Sequence, residues 1–95
     1  MQLTQSVVRA ICESAIFYKE SIQNPLDLDS ISLSSNIDRF VEALSSRSLP
    51  GFTRGHLENC CIFLSFFIEN APVVVDTTIH RALLAQFSEI LRSQP

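Results

Sequence analysis

Thr53-Arg54-Gly55-His56-Leu57-Glu58-Asn59-Cys60-Cys61-Ile62-Phe63-Leu64-Ser65-Phe66-Phe67-Ile68-Glu69-Asn70 is the stretch that decides how this chain folds. Placed at helical spacing, its apolar residues run almost all the way round. Only Arg54, Glu58, Ser65 and Glu69 form a polar wedge, about 60° wide. A helix in a simple antiparallel bundle exposes a much broader polar face, so this one must be covered on most sides. Two covers fit. Either the helix is central and wrapped by the rest of the chain, or Ile62, Phe63 and Phe66, opposite the Leu57/Leu64/Ile68 seam, meet a partner.

Working outward, Thr53 is placed to cap this helix, and Ala71-Pro72 closes it. Upstream, a helix is predicted from about Thr4 to Gln23. Val8, Ile11, Ala15, Tyr18 and Ile22 share one face, opposite Arg9, Glu13 and Glu20. Asn24-Pro25 stops it. Ile16 falls at the centre of the charged face with Phe17 at its border, a hint of contact beyond the monomer's own seam.

Leu26, Leu28, Ile31 and Leu33 sit among Asp and Ser and read as a loop, a turn or an early helix. From Ser35 the pattern is clear, with Ile37, Phe40, Val41 and Leu44 on one ridge and Ser35 and Asp38 as a capping pair. Leu49-Pro50-Gly51-Phe52 reads as a turn. After Pro72, Val73-Val74-Val75 is expected to be a connector packing its valines inward. Asp76 or Thr77 would cap a last helix running to about Ser93. There Ile79, Leu83, Phe87 and Ile90 oppose Arg81, Ala85, Ser88 and Arg92.

The fold class is therefore all-α, with about four helices in one domain spanning residues 1–95. The halves also align. Pro25, Asp29, Phe40, Glu42, Leu44 and Ser46 recur 47 residues later as Pro72, Asp76, Phe87, Glu89, Leu91 and Ser93. Ile16-Phe17, Ile22 and Asn24 recur 46 residues later as Ile62-Phe63, Ile68 and Asn70. The period and layout resemble those of HEAT and armadillo repeats, whose units run to roughly 40–47 residues. That resemblance implies two stacked helical hairpins, units 1–48 and 49–95, belonging to a compact pair or to a longer solenoid.

Composition narrows the function. Charged residues make up 18% of the 95 residues, against about 25% in an average soluble domain. Part of the surface is thus expected to be covered. A net charge of −3, with arginines scattered at positions 9, 39, 47, 54, 81 and 92, argues against a phosphate-backbone binder. In the loop from Arg47 to Arg54, Phe52 between two arginines is a permissible peptide or nucleic-acid contact, though an aromatic there more often tucks into the core.

The longest apolar stretch, Cys60 to Ile68, is broken by Ser65 and is far short of the roughly 20 residues that span a bilayer. The N-terminus lacks the basic and apolar regions of a signal peptide. Three cysteines are too few for a disulfide scaffold and suit the cytoplasm or nucleus.

Chemistry finds little purchase. Cys60 and Cys61 point about 100° apart on a helix and cannot easily share a metal. His56 and Cys60, at i and i+4, make at most a half-site, and Cys12 and His80 add no ligand spacing. No phosphate loop, nucleophile elbow or carboxylate cluster occurs, so no enzyme, cofactor, metal or small-molecule substrate is expected. A cysteine/histidine enzyme or metal protein is the distant alternative. His80, at the edge of an apolar face, is expected to be half-buried and bonded to a carbonyl. The serines between Ser30 and Ser35 serve as caps and linkers, with phosphorylation as a second use.

The leading expectation is a non-catalytic interaction or scaffold module that binds another protein or a second copy of itself. Ile16, Phe17, Phe52, Ile62, Phe63 and Phe66 are its candidate contact residues. A fragment or end of a longer helical-repeat scaffold is the alternative.

Overall fold

Periodicity and caps produce four helices. In the computed structural model, which describes residues 4–22, 28–46 and 52–93 (28–30 by backbone alone), they are α1 Gln5–Ile22, α2 Leu28–Ser45, α3 Arg54–Asn70 and α4 Thr78–Ser93. No strand occurs among the described residues. The Asn24-Pro25 break, Leu26, and the Leu49-Pro50-Gly51 turn with Arg47 lie outside them.

The helix starts follow from short polar side chains that accept the first free amides. Thr4 Oγ1 accepts from the Val7 N–H at 3.3 Å, opening α1. At α3, Thr53 Oγ1 accepts from the His56 N–H at 3.2 Å, and His56 Nδ1 accepts from the Thr53 N–H at 3.2 Å. This is a reciprocal capping box with histidine in the place usually held by Glu or Gln. Asp76 Oδ1 accepts from both the backbone N–H and the hydroxyl of Thr78, at 3.0 and 2.6 Å, and opens α4.

One start differs from the sequence expectation. The chain is already helical from Leu28, so Ser35 and Asp38 lie inside α2 and cap nothing. Ile31 and Leu33 are therefore helical and exposed. None of the described side chains from Ile31 to Ser34 is fully buried, so that part shows no buried ridge, the signal by which an amphipathic helix is read.

Cross-helix contacts fix the directions. Cys12 meets Ser45 (3.6 Å) and Lys19 meets Asp38 (2.7 Å), so numbering falls along α2 as it rises along α1. Cys61 meets Ser88 (3.9 Å) and the Phe67 ring stacks on His80, giving the same relation for α3 and α4. Both consecutive pairs are antiparallel.

The central element is α1, which packs closely against all three other helices. Its buried Ala10, Ser14 and Ala15 let neighbouring backbones approach, and the Ser14 hydroxyl is satisfied within the helix by donating to the Ala10 carbonyl. By contrast, α3 brings its backbone close to α1 and α4, and α2 brings its backbone close to α1 alone, meeting α3 only through side chains such as Ile37, Phe40 and Leu44. Leu57, Cys60, Leu64, Leu83, Phe87 and Ile11 form the main core, with Leu44 of α2 reaching into it. A smaller cluster of Ala15, Ile37 and Phe63 lies beside it, and Phe40 packs against both.

The α3–α4 connector also departs from expectation. The Val75 N–H donates to the Pro72 carbonyl at 3.0 Å, closing a tight turn. Val73 and Val74 ride on that turn at 102% and 93% exposure, pointing away from the core. A self-contained turn has satisfied its own backbone and draws nothing inward.

Candidate functional site

Because α2 leans on α1 and not on α3, a gap is left between α2 and α3. It is a groove of about 590 Å³. Ile37 and Phe40 of α2, Phe63 of α3 and Tyr18 of α1 form its floor. The rings interlock: Phe63 lies 5.4 Å from Tyr18 and 6.4 Å from Phe40, between centroids. Phe40 in turn stacks on His56 at 5.4 Å and 28°. Such offset and tilted arrangements are those aromatic rings prefer.

The walls are apolar and open to solvent. Leu33 of α2 is 40% exposed and Ile62 of α3 is 49% exposed, and both line the groove. Around them stand Asn36, Arg39, Asn59 and His56. Since His56 Nδ1 accepts the Thr53 N–H, the ring proton sits on Nε2. The rim thus offers hydrogen-bond donors and one guanidinium. None of the residues described as lining it is a carboxylate.

The sequence candidates fall into three places. Ile62 forms a groove wall. Phe63 does not face outward as expected: at 5% exposure it is packed between α1 and α2, and it reaches the groove only as floor. Phe66 and Phe17, 5.8 Å apart, lie half-buried in the α1–α3 seam, where Phe17 also meets Phe67 at 5.3 Å. Phe52 is half-buried, touching Phe40, His56 and Phe87.

Ile16, 41% exposed, stands apart in a broad depression of mixed lining, with Val8 and Cys12 beside Gln5, Arg9, Glu13 and Ser45. Leu33, Ile37 and Phe40, the α2 side of the groove, were not among the sequence candidates. Their i, i+4, i+7 spacing is the signal that could have found them.

Cys60, Cys61 and His80 are taken up by packing and local contacts. Burial, then the neighbouring Cys61 and Cys12, pushes the Cys60 thiol up to about 12. Burial also raises Cys61, against a hydrogen bond from Ser88 that lowers it. Both are thiols, not thiolates, at neutral pH. His80 is fully buried, with Nε2 on the Glu13 carboxylate at 3.0 Å where a carbonyl was expected, and with Nδ1 unpaired. No cluster of three His, Cys, Asp or Glu suited to a metal ion occurs among the described residues. No helix described is long and apolar enough to cross a membrane.

No protein-family model matches this chain, and no curated protein or solved structure matches it either.

Proposed function

We propose that this chain is a non-catalytic interaction or scaffold module that receives a partner protein, or a second copy of itself, in the groove between α2 and α3. The observation that carries the reading is the pairing of a largely aromatic floor with two exposed aliphatic walls, Leu33 and Ile62. Burying such side chains against a partner is worth about 1.5–3 kcal/mol each, enough for several to support association. The donor-rich rim would orient what enters. Cysteines held as thiols support a packing role, and they suit the cytoplasm or nucleus.

A second reading, an end or fragment of a longer helical-repeat scaffold, draws on the internal alignment. Ile16 and Ile62 occupy matching positions in the two halves, and both point outward. In that case the exposed positions would be covered by further repeats.

Affinity capture with the native chain beside a Leu33→Asp/Ile62→Asp variant tests the first reading. A protein retained by the native chain, lost by the variant, and then shown to bind when purified supports it. A variant that stays folded and retains the same proteins would refute it.

A further inference from the structure

The same molecule carries a feature that matches its own groove. Val73 and Val74, almost wholly exposed on the Pro72–Val75 turn, form an apolar knob. Exposed apolar residues scattered singly are ordinary, but two adjacent valines with no covering side chain are not. Two carboxylates lie close to the knob in sequence, Glu69 in the last turn of α3 and Asp76 just before α4.

The last turn of α3 has no basic residue to offset Glu69 or the negative end of the helix dipole. Asp76 Oδ1 is taken by Thr78, which leaves its second oxygen for a further donor. The knob is apolar, and acidic residues border it in sequence on both sides. The groove is apolar within, and at its rim it carries Arg39, Asn36, Asn59 and the His56 Nε2–H, with no carboxylate in its described lining. Arg39 makes no ion pair among the described residues.

We propose that the occupant of the groove is the Val73–Val74 turn of a second copy of this chain, with Glu69 and Asp76 of that copy facing Arg39. This rests on the reading of the groove as a binding surface and names what fills it. Knob and groove are different surfaces, so the contact is head-to-tail. Each copy presents a free knob at one end and a free groove at the other, and assembly continues beyond a dimer unless the ring closes. The contact is small, which places it among the weak and transient interfaces.

Sedimentation velocity of the native chain from about 10 μM to about 1 mM, a span that brackets weak association, is the test. The sedimentation coefficient should rise with concentration and pass that of a dimer. Val73→Asp/Val74→Asp, altering only exposed side chains, should stay monomeric, and so should Ile62→Asp.

Mixed together, these two variants should restore a one-to-one dimer that grows no further, because one supplies an intact groove and the other an intact knob. A native chain monomeric throughout, or a mixture that does not associate, would overturn the proposal. So would an Ile62→Asp block without a Val73→Asp/Val74→Asp block, which would mark groove-to-groove pairing. If self-association fails while the Leu33→Asp/Ile62→Asp pair still loses a captured partner, the knob is wrong and the groove stands.

Discussion

The Nε2 of His80 lies 3.0 Å from Oε1 of Glu13, joining α4 to α1 across 67 positions of sequence while the imidazole lies flat on Phe67 of α3 at 4.4 Å. One buried ring therefore touches three helices. Its Nδ1 is buried without a partner, so the Glu13 contact is what satisfies the side chain.

Glu13→Ala should cost about 1–3 kcal/mol of unfolding free energy, the usual penalty for leaving a buried polar group unpaired. Glu13→Gln keeps an oxygen in reach and should cost clearly less. Urea denaturation of the three proteins checks the order. Equal losses would mean that an amide oxygen cannot stand in for the Glu13 carboxylate at His80.

Phe63 and Ile62 are neighbours in sequence with opposite environments, and charging them should separate cleanly. Phe63→Glu should unfold the domain as Leu64→Glu does, since each buries an unpaired carboxylate. Ile62→Asp should leave the circular-dichroism spectrum and the melting temperature close to native. A folded Phe63→Glu protein would contradict the placement of that ring.

The α3 capping box supplies a local test. Thr53→Ala removes the side-chain acceptor for the His56 N–H and should cost about 1 kcal/mol. The loss should appear in thermal unfolding.

Cys60 gives a pH dependence with a definite sign. Its thiol is raised from about 9 to about 12 by burial, so between those values the unfolded chain loses a proton that the folded chain keeps. Stability contributed by the neutral thiol is full below about 9 and declines as pH climbs toward about 12. Urea midpoints should fall over that range, and less so in Cys60→Ala after its own packing loss is subtracted. Ellman's reagent should modify Cys60 at neutral pH only as fast as the domain opens.

Much of this architecture is legible in the sequence, because α1, α3 and α4 each bury a ridge and are bounded by strong caps or prolines. The early start of α2 is not. Ile31 and Leu33 sit among Asp and Ser, and Leu33 alone continues the Ile37/Phe40 ridge, too little apolar pattern to fix where the helix starts. The groove is a tertiary product: α2 rests on α1, and only that choice leaves Ile37, Phe40 and Phe63 lining a gap.

The narrow polar wedge of the third helix leaves two covers open, the rest of the chain or a partner; α1 and α4 lie close against it and α2 reaches it through side chains, while Ala10, Ser14 and Ala15 let α1 approach all three other helices. Reading the valines of the connector as inward fails. Apolar character predicts burial only where the backbone is free to turn inward, and the Pro72–Val75 hydrogen bond removes that freedom.

The central claim is that the α2/α3 groove is open, apolar and receptive to an apolar group carrying negative charge. Titrating the isotopically labelled chain with anilinonaphthalene sulfonate, an aromatic anion, and following the backbone amides by NMR tests it directly. Shifts should concentrate at Leu33, Asn36, Arg39, Asn59 and Ile62, and should be lost in Ile62→Asp. Shifts centred on Ile16 and Ser45, or no binding by a folded chain, would contradict it.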